Sequence, residues 1–262
     1  MNEAEAFYLP HEGNRFFSTT ATVGPWSPAL QHGGPPAALL GRALERLPSR
    51  PLVRIARISV EILGPIPLDT LAVAAEVVRS GRSVEMLSAS ASAGDRTVLR
   101  ATAWRIAAEE GRSPAIGLDG PPPPPLPGPQ PQVFFAGVDR FPYGDALEWR
   151  FVEGGYDQLG PATVWTRCRI PLVRGEEISP LCRLLAMVDS ANGVSAELPF
   201  WRFTFVPVDL NVVLHRHPRG EWVGMSARTF IERDGVGLTQ TRLFDPEGYL
   251  GWSLHTLYVA PR

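Results

Sequence analysis

The feature that most narrows what this chain can fold into is an internal repeat. A helix-like run at 35–47 is followed by four strand-like runs, at about 54–63, 71–79, 83–93 and 97–107. A second helix-like run at 180–192 is followed by four more, at about 205–215, 222–232, 237–245 and 249–259. The strand assignments rest on alternation. Ile58, Val60 and Ile62 alternate with Ser59 and Glu61, and Val206, Val208, Leu210, Val212 and Leu214 alternate with Pro207, Asp209, Asn211 and Val213. Turn chemistry repeats as well: Ala93-Gly94-Asp95 divides the last two strands of the first half, and Asp245-Pro246-Glu247-Gly248 those of the second.

One helix followed by an antiparallel meander, twice over, has a simple physical solution. Each sheet curls so that its concave face buries one central helix. The small residues of the third strand, Ser88 to Ala93, let that helix lie close. Two such sheets can pair edge to edge, which removes two exposed edges. The expected fold is therefore α+β, a double hotdog. Its copies are expected at 1–108 and 133–262, joined by a proline-rich linker at 109–132 that contains Pro121 to Pro125 in succession. Proline lacks a backbone donor and favours a stiff extended spacer. A docking ligand for aromatic grooves is the alternative reading of the same run.

Composition excludes several classes. Hydrophobic residues make up 44% and charged residues 20%, with a net charge of -2 and no basic block, so neither nucleic acid nor an anionic membrane is an expected partner. A polyanionic substrate would have to be met by a local cluster; Arg167, Arg169 and Arg174 are candidates, with a solvated strand face as the plain reading. Cys168 and Cys182 lack metal-ligand spacing and read as small core residues. No signal-like or membrane-length run is present, so a cytoplasmic location is expected, and the chain leaves a homo-oligomer open.

Two places carry candidate chemistry. Gln31-His32-Gly33-Gly34-Pro35-Pro36 announces the first helix. Free amides at such an entrance can hold a carbonyl oxygen or an anion, although an ordinary helix start explains the same residues. Ser179 and Pro180 open the second helix, whose apolar stripe is Leu181, Leu184, Leu185 and Val188. Asp189 lies roughly 80° from the centre of that stripe at about 100° per residue, a flank position from which a hydrated carboxylate could reach a cleft. A solvated helix residue is the alternative. No Gly-x-Ser-x-Gly elbow, dinucleotide fingerprint or P-loop is present.

The run Leu30 to Gly34 before an Ala/Leu helix, and the run Leu184 to Gly193, resemble the two central-helix segments of TesB-like (type II) acyl-CoA thioesterases. The resemblance spans about 15–107 and 145–260. It implies hydrolysis of acyl-CoA or acyl-carrier thioesters, with Asp189 at the position of the family's water-activating aspartate. The family's threonine position falls on Pro207, which has no hydroxyl, and its glutamine position on His255. The expected mechanism places the thioester carbonyl at His32, Gly33 and Gly34, uses Asp189 as general base with His255 assisting, and runs the acyl chain between helix and sheet. It requires no metal or other cofactor. Two rivals use the same scaffold: an acyl-thioester dehydratase or hydratase, which needs a histidine opposite the second-helix aspartate, and a non-catalytic acyl-thioester-binding protein.

Overall fold

The structure is a computed structural model that describes residues 4–117, 121–138 and 140–262. A short hairpin of β1 (Tyr8–Pro10) and β2 (Arg15–Ser18) precedes α1 (Gly34–Glu45). Then come β3 (Val53–Ile62), β4 (Thr70–Arg79), β5 (Val84–Ala93) and β6 (Arg96–Ala107). The second half opens with α2 (Pro142–Asp145), β7 (Leu147–Glu153) and β8 (Ala162–Cys168), followed by α3 (Pro180–Val188) and α4 (Ala191–Val194). It ends with β9 (Phe203–Pro207), β10 (Asp209–Leu214), β11 (Val223–Ile231), β12 (Val236–Asp245) and β13 (Gly248–Pro261).

The strands form one continuous antiparallel sheet in the order β1-β2-β4-β5-β6-β3-β10-β13-β12-β11-β8-β7, with β9 paired to β13. Read outward from the β3–β10 seam, the halves match: β3-β6-β5-β4-β2-β1 on one side and β10-β13-β12-β11-β8-β7 on the other. That mirrored order is what a duplicated unit produces when two equivalent edges join. At the seam Ile58 faces Val212 and Ser59 faces Asn211.

Each helix lies against the concave face of its own half. Leu39, Leu40 and Leu44 of α1 are buried with Leu87, Ala89 and Ala91 of β5, and Leu181, Leu184, Leu185 and Val188 of α3 are buried in the second half. Burying each such leucine stabilises the fold by about 1.5–3 kcal/mol. The two helices also pack on one another, through glycines. A Cβ on Gly41 would strike Leu185, and one on Gly34 would strike the Ala186 carbonyl oxygen. The entrance of α1 is thus pressed against the end of α3, and this contact builds the site.

Four differences from the sequence reading have local causes. The helix expected through Asn192 ends at Val188, and Asp189 is its C-cap. The strand expected over 205–215 is split into β9 and β10, because Pro207 has no amide hydrogen to continue the ladder. β1, β2, β7 and β8 are additional strands, too short or too broken in pattern to announce themselves. The described residues of 109–132 contain no helix or strand, yet part of the segment is docked on the sheet. The Gln130 carboxamide accepts from Phe151 N at 2.8 Å and donates to Phe151 O at 2.9 Å. Gln132 does the same with Trp149, at 3.0 and 3.1 Å. Two side chains thereby occupy the free edge of β7.

Candidate active site

Where the entrance of α1 meets the end of α3, a cavity of about 310 Å³ opens between the helices and the sheet. Its wall is mostly apolar: Trp26, Ile62, Ile66, Phe135, Phe141, Phe205 and Val206 are among its lining residues. The polar groups gather at one pole, where His32, Gly33, Tyr156, Asp189, Ser190 and Asn192 line it. Asp189 is the only carboxylate in that lining.

Asp189 reaches this pole because α3 stops at Val188 and the chain turns inward. The expected hydrated flank position is corrected: the side chain is 4% exposed, because the entrance of α1 covers it. Gly33 makes this approach feasible, since a Cβ there would lie 2.8 Å from Asp189 Oδ2. Burial raises the Asp189 pKa from 3.8 to about 7, and the backbone amides of Gly33 and Gly34 partly oppose the rise. Both amides therefore lie close to this carboxylate. The expectation that both stand open to a substrate oxygen is corrected for Gly34, whose amide is engaged by His32.

His32 is held by its own backbone, whose amide donates to Thr22 O at 2.7 Å, and by Tyr143, whose ring stacks on the imidazole at 3.8 Å and 7°. Tyr143 Oη in turn donates to Ala186 O and lies within hydrogen-bond distance of Ser190 Oγ, each at 2.8 Å. In this position His32 Nδ1 lies 3.0 Å from Asp189 Oδ2. The contact is not an ion pair, because burial lowers the His32 pKa to about 3 and keeps the ring neutral. Gly34 N also lies 3.2 Å from Nδ1. The amide donates and Nδ1 accepts, which leaves the hydrogen of the neutral ring on Nε2.

His255 stands near enough to His32 for its ring to help lower the His32 pKa, but it is not part of the cavity wall. Its alternating position on β13 turns it inward, opposite Thr239, but it is fully buried, does not line the cavity, and neither ring nitrogen has a hydrogen-bond partner among the described residues. Burial lowers its pKa to about 4. Pro207 does line the cavity, without a hydroxyl to give. Arg167 is paired with Glu148 and Glu221, and Arg167, Arg169 and Arg174 are absent from the cavity lining. Tyr143 and Tyr156 are contributions the sequence analysis missed, and no motif marks either of them. Ser190 and Asn192 stand within the run that carries Asp189. Asn192 Nδ2 donates to Phe205 O at 3.1 Å, which engages one of its two amide hydrogens.

Comparison with known proteins bears on this geometry. A family model described as the acyl-CoA thioesterase N-terminal domain matches residues 22–106, and its C-terminal-domain counterpart matches residues 118–259. No curated protein sequence matches. Among solved structures, a hot dog fold protein from Alicyclobacillus acidocaldarius superposes with a TM-score of 0.69 at 19% identity, over 98% of this chain and 97% of that one. A tesB protein of Mycobacterium avium subs paratuberculosis gives 0.67 at 14% identity, over 96% of each chain. The acyl-CoA thioesterase II TesB2 of Mycobacterium marinum gives 0.64 at 19%, over 95% and 92%. At such identities these neighbours speak for the double hotdog fold alone. The two family matches together span both halves of the repeat, and by them the chain belongs to the acyl-CoA thioesterase family and is a thioester hydrolase.

Proposed function

We propose that the protein hydrolyses the thioester of an acyl-CoA or acyl-carrier substrate with water activated at Asp189. The observation that carries this reading is the position of a single buried carboxylate at the polar pole of an apolar cavity. A pKa near 7 suits it to general-base chemistry at neutral pH, where the charged form is available and still basic. The acyl chain occupies the apolar wall around Ile62, Ile66, Phe205 and Val206, and the thioester lies beside His32, Gly33 and Gly34. Asn192 and Tyr156 are the side chains from which the developing oxyanion draws hydrogen bonds. No step of this chemistry calls for a metal.

The dehydratase reading gains a histidine beside the aspartate but is weakened by their separation. Such chemistry needs substrate between the two groups, and a 3.0 Å contact leaves no room for it. Among the described residues no helix is long and apolar enough to cross a membrane, and we place the enzyme in the cytoplasm. The test is thiol release from a chain-length series of acyl-CoA thioesters. Saturable release with a length preference is expected. Binding without release, or formation of an enoyl product, would overturn hydrolysis.

A further inference from the structure

The cavity at Asp189 is walled by rings. Trp26, Phe135, Phe141, Tyr156 and Phe205 all line it, and four of them belong to one connected run. The Phe205 ring meets Trp26 edge-on at 5.3 Å, and Trp26 lies 4.6 Å from Phe200. Phe200 stacks on Phe135 at 4.5 Å and 18°, and Phe135 meets Tyr156 edge-on at 4.9 Å. The run thus reaches from the half-buried Trp26 to Tyr156 at the polar pole that holds Asp189. Each ring is held by the next, and the Arg262 guanidinium covers Trp26 and Phe200 at 4.9 and 4.4 Å. No methionine is among the described lining residues, so this wall lacks the side chain that most readily reshapes itself around a flexible guest.

Volume sets a second limit. At about 30 Å³ per non-hydrogen atom, the share of one water molecule in the liquid, a cavity of about 310 Å³ holds roughly ten such atoms. That is the small end of the range for ligand pockets, about 300–1,000 Å³. A nine-carbon acyl group with its carbonyl oxygen fills the space, and a sixteen-carbon chain exceeds it.

We propose that the acyl group is a short aryl-acyl of about the size of 3-phenylpropanoyl, and not a long saturated chain. This rests on the hydrolase reading and names its acyl group. A planar ring set among rings gains offset and edge-to-face contacts that an aliphatic chain cannot make. It also has few bonds to freeze, whereas a saturated chain of the same carbon count has more than twice as many to immobilise. Ile62, Ile66 and Val206 offer it aliphatic contact. Its carbonyl stays at the polar pole with Asp189, so the attack by water is the one already described.

The test follows thiol release by the full chain from 3-phenylpropanoyl-CoA and nonanoyl-CoA, which carry nine acyl carbons each, and from hexadecanoyl-CoA. The aryl thioester should exceed nonanoyl-CoA by roughly 10-fold in kcat/KM, with hexadecanoyl-CoA behind both. Phe205→Leu and Trp26→Leu each remove a ring and keep an apolar side chain. Each should lower the aryl-to-nonanoyl ratio of kcat/KM by roughly 3–10-fold. Damage to the fold or to the chemistry slows both substrates alike and leaves that ratio unchanged, so the ratio reads ring contact. Nonanoyl- or hexadecanoyl-CoA turned over as well as the aryl thioester would overturn the assignment and leave hydrolysis standing, and so would an unchanged ratio in both variants. If neither variant folds, the wild-type comparison decides alone. If no thioester releases thiol, it is the hydrolase reading that falls, and the aryl assignment with it.

Discussion

Replacing Asp189 by Asn should stabilise this protein at neutral and alkaline pH and leave its stability nearly unchanged in acid. Burial lifts the carboxyl from 3.8 to about 7 in the folded chain. A carboxyl raised in this way holds its proton longer folded than unfolded. Its stabilising contribution is complete below the unfolded value and is lost as pH climbs to the folded one, a window of about pH 4 to 7. The gap of about 3 units (about 7 minus 3.8) at about 1.4 kcal/mol per unit amounts to an upper bound of about 4 kcal/mol. The neutral, nearly isosteric Asn escapes this cost.

Wild-type stability alone would not reveal the effect. His32 and His255 are buried neutral, with pKa values lowered from 6.5 to about 3 and about 4. The unfolded chain protonates these rings first, so each destabilises the fold as pH falls below about 6.5, opposite in sign to Asp189. The three slopes overlap, and the difference between variant and wild type isolates the carboxyl. Denaturant unfolding in steps of about one pH unit should show that difference rising by up to about 1.4 kcal/mol per unit between about pH 4 and 7. At about pH 8 the variant should be ahead by about 2–4 kcal/mol, or roughly 5–15 °C in Tm, with turnover lost. A difference that does not change with pH, or a variant less stable than wild type at pH 8, would refute the buried-carboxylate reasoning.

Two further predictions follow from geometry. Gly33 has an ordinary helical φ of -69°, so Gly33→Ala strains no backbone, but its Cβ would sit 2.8 Å from Asp189 Oδ2 and displace the carboxylate. Turnover should fall by about 10–100-fold with the fold intact, a displacement near 1 Å being costly to catalysis; an unimpaired variant would mean the carboxylate position is not critical. Replacing Gln130 and Gln132 together by Ala should strip the β7 edge of its side-chain partners. Hydrogen exchange at the Trp149 and Phe151 amides should then accelerate and self-association should rise, as for any bare edge; unchanged protection of those two amides would show that the linker does not hold the edge.

The fold was legible where periodicity was long and the site only where residues adjoin in sequence. Eight strand runs and two helices announced themselves because burial of one face writes a period into the chain. The strands at one end of the sheet are brief: β1 has three residues and β2 four, too few to write a period. Asp189 and the His32-Gly33-Gly34 turn could be named as candidates from their positions at helix ends. Their mutual contact could not, because it depends on how closely the two helices approach. That distance is set by three glycines, Gly33, Gly34 and Gly41, whose absent side chains leave no pattern to read. The same approach seals the carboxylate from water and presses it on the imidazole. A residue that looked hydrated by helical angle is therefore buried, and the histidine expected at the thioester carbonyl becomes its neighbour. His255 is a different case: alternation correctly turned it inward, but on a curled sheet an inward residue need not be part of a cavity wall. What decides between them is the path of the helix over the sheet, and along this chain that path is fixed at the glycine contact between α1 and α3.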